Sequence, residues 1–112
     1  MASILEDIAM LDLPKVAPLV LPAAVKLVAD RLGLTMVLTC RDAPEQYEVT
    51  NDGVASGYIR VRWGRMSVDY PAAADEELYD GSVDGFAGFT DHEREAKLLL
   101  ALGLIAARMK RA

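Results

Sequence analysis

The sequence YIRVRWGRMSVDY, residues 58–70, carries the clearest structural pattern of this chain. Apolar and polar residues alternate on both sides of Gly64, which is the pattern of two strands that share one buried face. We predict a hairpin whose two-residue turn is Gly64-Arg65, because glycine suits the first position of such a turn. In this register Trp63 lies opposite Met66. The buried face of the hairpin is predicted to hold Ile59, Val61, Trp63, Met66, Val68 and Tyr70.

The polar face of the same hairpin is a candidate surface for a partner. Tyr58, Arg60 and Arg62 project from it together, with Arg65 at the turn. Arginine makes planar bidentate contacts with carboxylates and tyrosine adds rigid contact area, so this row suits a carboxylate-rich partner. The alternative is an ordinary solvated face on which Arg60 pairs with Asp69, an ion pair worth about 0 to 1 kcal/mol.

Further elements are predicted before and after the hairpin. Residues 34–40 are an apolar run rich in strand formers, and residues 47–50 alternate ahead of a turn signal at 51–53. Apolar stripes at helical spacing predict helices over residues 3–12, 22–32 and 90–111, and capping boxes begin the first and the last. The expected fold is α+β: a four-stranded antiparallel sheet covered by N-terminal helices and a long C-terminal helix. Residues 71–77 fit either a helical turn or a loop, and residues 80–88 have loop composition.

The last helix is predicted to be apolar on two sides. Beyond its core-facing stripe it carries a second set, Leu100 and Leu104, flanked by Gly103 and Ala107. A helix that is apolar on both sides needs cover on both sides. The cover is either the first predicted helix, which we favour, or a second copy of the chain in a homodimer. Leu100 and Leu104 are therefore candidate partner-binding residues.

Residues 80–91 resemble part of the calcium-binding loop of an EF-hand. Asp80, Ser82 and Asp84 occupy positions 1, 3 and 5, Gly85 occupies position 6, and Asp91 occupies position 12, where the motif has glutamate. Oxygens that alternate in this way can turn inward to a hard cation such as calcium. The alternative is a glycine-rich connection in which aspartates cap turns. We expect no cofactor, and keep a calcium site as the alternative.

Composition excludes several classes of protein. The chain has 112 residues, of which 53% are hydrophobic, and its net charge is −5. This size and hydrophobicity predict a single domain over residues 1–112, and one cysteine, Cys40, favours a reducing, cytoplasmic location. The acidic balance disfavours direct binding of nucleic acid. The longest apolar run, the ten residues 98–107, is shorter than the roughly 20 that a membrane span needs.

Charge is segregated along the chain. Residues 71–95 contain eight acidic and one basic residue, and residues 96–112 contain four basic residues and no acidic one. The acidic block is complementary in sign to the arginine row of the hairpin, so copies of the chain could also associate with one another.

Groups that could catalyse a reaction are sparse. His92 is the only histidine, and no second histidine or paired cysteine completes a zinc site or a nucleophile dyad with it. We therefore expect a non-catalytic protein-interaction module, such as an adaptor, inhibitor or accessory protein of the kind that bacteria and phages encode. The alternatives are a divalent-cation-binding protein and an enzyme whose site the sequence does not reveal.

Overall fold

The computed structural model describes residues 20–40 and 44–111 as five strands with a helix before them and a helix after them. The strands form one antiparallel sheet in which each strand pairs with the next along the chain. The two helices pack against each other and on one face of this sheet, here called the inner face. The elements are α1 (Ala23–Arg31), β1 (Thr35–Cys40), β2 (Glu45–Asn51), β3 (Val54–Arg62), β4 (Arg65–Tyr70), β5 (Glu76–Ser82) and α2 (Asp91–Lys110).

The α+β class, the antiparallel sheet and the long C-terminal helix are confirmed, but the predicted count of four strands is wrong. The fifth strand, β5, has the sequence EELYDGS, which is rich in residues that strands usually avoid. It lies at the sheet edge, where charged side chains are tolerated because they remain in water. A register shift at Val68/Asp69 also disrupts its alternation. Within the described residues one helix precedes the sheet, and the helix predicted over residues 3–12 lies outside them.

The hairpin of β3 and β4 forms, but its turn is Trp63-Gly64 and not Gly64-Arg65. Both turn residues have positive φ, 57° at Trp63 and 73° at Gly64, as in the two-residue turn whose twist matches that of the strands. Arg65 therefore becomes the first residue of β4, opposite Arg62. The shift by one residue leaves the buried face unchanged except at Trp63, which leaves the core and lies at the exposed tip.

The helices begin and end largely where the sequence indicates. α1 begins directly after Pro22 and is followed by Gly33 with a φ of 73°, the left-handed conformation typical of a helix stop. The capping box predicted at Thr90 and Glu93 begins α2. Among the described helices, none is long and apolar enough to cross a membrane.

The core lies between the inner face of the sheet and the two helices. At Gly57 the sheet packs tightly against α2, because a Cβ atom at this position would overlap the side chain of Ile105. Tyr70, predicted to be in the core, is only half-buried, and the Arg108 guanidinium lies 4.6 Å from the centre of its ring. The buried apolar residues are Val25, Ala29, Leu34, Met36, Tyr47, Val49, Ile59, Val61, Met66, Val68, Phe89, Leu98, Ala101, Leu102 and Ile105.

Candidate functional site

Two large aromatic side chains lie exposed and in contact at the tip of the β3–β4 hairpin. Trp63 is 65% exposed and Phe86, from the loop after β5, is 66% exposed. Their rings meet edge to face, with centres 5.7 Å apart and planes at 79°. The Arg62 guanidinium lies 5.3 Å from the centre of the Trp63 ring, within the range of a cation–π contact. We call Arg60, Arg62, Trp63, Arg65 and Phe86 the arginine–aromatic surface.

The observed register separates Arg60 from the acidic residue expected to neutralise it. Arg60 lies opposite Ser67, whereas Asp69 lies opposite Tyr58. The Asp69 carboxylate accepts a hydrogen bond of 3.0 Å from the backbone N–H of Ala74. The predicted Arg60–Asp69 pair is therefore wrong, because moving the turn by one residue shifts the pairing by two residues and changes every partner across the hairpin.

The arginines of this surface differ in their partners. Arg65 donates to Asp80 on β5 at 2.9 Å, and this hydrogen bond raises the pKa of the guanidinium. Among the described residues, Arg60 and Arg62 form no ion pair. Within the described residues, the charge of Arg65 is thus matched by a carboxylate, whereas the charges of Arg60 and Arg62 are not.

Two adjoining depressions meet at this surface and share Arg62 and Trp63. The first, the aromatic cleft, has a volume of about 290 Å³ and is lined by Pro44, Arg62, Trp63, Phe86 and Ala87. The second, the arginine groove, has a volume of about 260 Å³ and lies on the outer face of the sheet, opposite the helices. It is lined by Arg60, Arg62, Trp63, Arg65, Ser67, Glu77 and Asp80. An apolar depression thus lies beside a predominantly basic one, and Arg62 and Trp63 line both.

Backbone hydrogen bonds hold Phe86 beside Trp63. The N–H of Gly64, in the hairpin turn, donates to the carbonyl of Phe86 at 2.8 Å, and the Gly64 carbonyl accepts from the N–H of Val83 at 2.9 Å. On the other side of the loop, the Glu45 N–H donates to the Ala87 carbonyl at 2.8 Å. The loop that carries Phe86 is therefore bonded to the hairpin turn that carries Trp63 and to β2.

A buried ion pair lies beneath this loop. The Glu45 side chain is 2% exposed and the Arg94 side chain 11%, and Arg94 donates two hydrogen bonds of 3.0 Å to the carboxylate. Glu45 also accepts from the Phe89 N–H at 3.1 Å and from the Tyr47 hydroxyl, while Arg94 donates to the Phe89 carbonyl at 2.9 Å. Burial, together with the hydrogen bond to Glu45, raises the pKa of Tyr47. The hydrogen bond to Glu45 raises the pKa of Arg94.

Glu93 secures the same loop from the first turn of α2. Its carboxylate accepts hydrogen bonds from the backbone N–H groups of Asp84, Gly85 and Thr90 at 2.8–2.9 Å. Burial alone would raise the pKa of Glu93, but these hydrogen bonds outweigh it and lower the pKa to about 2. Charged Glu93 therefore stabilises the loop near neutral pH.

The remaining partner-binding candidates lie away from the aromatic cleft. Tyr58 is half-buried on the outer face, where its hydroxyl donates to Gln46 at 2.7 Å, and burial raises its pKa. On α2, Leu100 is 40% exposed and Leu104 is half-buried, and a Cβ atom at Gly103 would have no neighbour within 4 Å. The helix predicted to cover Leu100 and Leu104, residues 3–12, lies outside the described residues.

The structure does not gather the predicted calcium ligands. Asp80 and Ser82 belong to β5, and Asp80 bonds to Arg65. Asp91, the first residue of α2, bonds to Arg94. In residues 20–40 and 44–111, no three histidine, cysteine or carboxylate side chains are placed to hold a metal ion.

The arginines of this candidate surface are among the residues predicted from the sequence, whereas its aromatic residues are not. The alternation along residues 58–70 predicts a buried Trp63, and Phe86 lies in residues 80–88, for which only loop composition is predicted. One available signal was the Trp63-Gly64 dipeptide as an alternative two-residue turn, which would have placed the tryptophan at an exposed tip. Contact between Phe86 and Trp63 had no local signal, since 23 positions separate them in the sequence.

Known proteins give no assignment for this surface. No protein-family model, curated protein or solved structure matches the chain.

Proposed function

We propose that this chain is a non-catalytic protein-interaction module that binds its partner through the arginine–aromatic surface. The observation that carries the proposal is the exposed contact between Trp63 and Phe86 beside two arginines that have no described ion pair. Tryptophan, tyrosine and arginine dominate the residues whose truncation weakens protein interfaces most.

Burial of these rings by a partner would supply substantial binding energy. About two-thirds of each ring residue is exposed, which corresponds to roughly 100–160 Å² and to about 2 to 4 kcal/mol per residue if a partner covers it completely. Because the loop below Phe86 is joined to Gly64, Glu45 and α2, little ordering is required when the partner arrives. Such preorganisation favours affinity, because binding then costs less conformational entropy.

The backbone at Trp63 also favours a functional explanation. A bulky residue with a φ of 57° is uncommon, because the left-handed conformation costs an L-residue roughly 1–2 kcal/mol. Asparagine or glycine would adopt this turn position more readily. The presence of tryptophan is explained if its ring is needed at the surface, since unfavourable backbone conformations concentrate at functional sites.

The test is capture of a partner from extracts of the native cell by the immobilised chain. We expect the unmodified chain to retain a partner and the variant Arg60→Glu/Arg62→Glu to retain none of it. The matched control is Arg31→Glu/Lys110→Glu, which makes the same change in charge at exposed positions on the helices and should retain capture. Circular dichroism establishes that both variants are folded. Equal capture by all three proteins would contradict the proposal.

A further inference from the structure

We propose that the partner presents an extended acidic segment with an aliphatic side chain, in the pattern acid-x-acid-x-aliphatic. This inference rests on the proposed function and adds the chemistry of the ligand. It comes from the adjacency of the two depressions: the aromatic cleft is apolar, the arginine groove is basic, and Arg62 and Trp63 line both. A ligand that fills both must carry an apolar group next to anionic ones.

The spacing of the arginines sets the spacing of the acids. Arg60 and Arg62 are two residues apart on β3, so they project from the same face of the strand about 6.6 Å apart. An extended peptide has the same two-residue repeat. Carboxylates at alternate positions of such a peptide can therefore each receive one guanidinium. Adjacent carboxylates would point to opposite sides of the peptide.

The aromatic cleft determines the apolar residue. The rings of Trp63 and Phe86 stand at 79° to each other and form two walls of a corner, which Pro44 and Ala87 complete. A compact branched side chain such as leucine fits a corner of this kind and covers both rings. Because Trp63 follows Arg62 directly, the aliphatic residue belongs after the second acid in a peptide that runs in the same direction as β3.

Charge favours a peptide over a single-stranded nucleic acid, which arginines and exposed aromatic rings could also bind. The chain carries a net charge of −5, and the arginine groove itself contains Glu77 and Asp80. A phosphate backbone would extend beyond the arginines over these acids, whereas two carboxylates can be confined to Arg60 and Arg62.

Trp63 provides the measurement, because it is the only tryptophan of the chain and lies within the site. Its fluorescence is followed during titration with the tryptophan-free peptide Ac-SDSDSLS-NH2. Three comparison peptides replace both aspartates by asparagine (Ac-SNSNSLS-NH2), replace leucine by glycine (Ac-SDSDSGS-NH2), or place the aspartates side by side (Ac-SDDSSLS-NH2). A ten-residue oligothymidylate is the nucleic-acid probe.

We expect a saturable change with the first peptide and affinities lower by about tenfold or more for the asparagine and glycine peptides, since each lacks one class of contact. The adjacent-acid peptide should also bind more weakly. Arg60→Glu/Arg62→Glu should abolish binding of the first peptide, and Arg31→Glu/Lys110→Glu should leave it unchanged.

Four results would overturn the inference. Equal binding of all four peptides would show that the surface does not recognise the pattern acid-x-acid-x-aliphatic. Tighter binding of oligothymidylate would indicate that the ligand is a nucleic acid and not a peptide. Failure of every probe, together with partner capture that still depends on Arg60 and Arg62, would reject this ligand chemistry and leave the proposed function standing. Failure of both experiments would reject the surface itself.

Discussion

Replacement of Arg94 by methionine tests whether the buried ion pair supports the loop that carries Phe86. Methionine fills a similar length but removes the charge, both hydrogen bonds to Glu45 and the hydrogen bond to the Phe89 carbonyl. The Glu45 carboxylate, whose side chain is 2% exposed, would then be charged and buried without its cation.

Removal of one partner from a buried pair typically costs about 3 to 5 kcal/mol. The geometry favours a value in this range, because Glu45 would keep only the Phe89 N–H and the Tyr47 hydroxyl as donors. In a domain of this size each kcal/mol lowers Tm by about 4 °C or more, so a decrease of at least roughly 12 °C is expected.

The assay is urea unfolding followed by circular dichroism, with a double-mutant cycle that adds Glu45→Met. The double variant carries no unpaired charge, so we expect it to lose less stability than the sum of the single variants by about 2 kcal/mol or more. Arg65→Met is the exposed control, since loss of its solvent-exposed pair with Asp80 should cost far less than loss of the buried pair. If Arg94→Met lowers the free energy of unfolding no more than Arg65→Met does, the buried pair does not stabilise the fold.

Three further outcomes are expected. Because the pKa of Glu93 is lowered from 4.5 to about 2, its contribution is complete above pH 4.5 and is lost as pH falls towards 2. In urea titrations, Glu93→Gln should therefore have a lower free energy of unfolding than the unmodified chain at pH 7. As the pH falls from 4.5 towards 2, the variant should lose less of this free energy than the unmodified chain does, and equal losses would contradict the role of charged Glu93. Gly103→Ala should raise the free energy of unfolding by about 0.5 to 1 kcal/mol, because this helical position is exposed and open, and a decrease would show that the site is covered. Millimolar calcium should leave Tm unchanged, since Asp80 is bonded to Arg65 on a strand; a rise that Asp84→Ala removes would establish a cation site.

The parts of the fold that follow from local patterns were predictable from the sequence. Alternation along residues 58–70 identified Ile59, Val61, Met66 and Val68 as core residues, and all four are fully buried. A one-residue change of turn shifts the strand pairing by two residues, so the same side chains stay on the buried face. The pattern therefore determined the faces without determining the partners across the hairpin.

The parts that depend on distant contacts were not predictable in this way. The position of Gly64 within the turn is tied to Phe86 and Val83, which lie about twenty residues away along the chain. β5 is a strand because β4 pairs with it, although its own composition resembles a loop. The wrong turn position and the missed strand β5 both affect the candidate site. The exposure of Trp63 and its contact with Phe86 exist only when the loop after β5 is bonded to the hairpin.

Site-specific photo-cross-linking can show whether a partner contacts the arginine–aromatic surface in the cell. Benzoylphenylalanine replaces Phe86 in one protein and Val54 in another; Val54 is 66% exposed but begins β3, about 26 Å along the strand from Arg62. Irradiation in the native cell should give a discrete protein adduct from position 86, none from position 54, and none from position 86 when Arg60→Glu/Arg62→Glu is also present. Adducts from position 54 alone, or adducts from position 86 that persist after the charge reversal, would contradict binding through the arginine–aromatic surface.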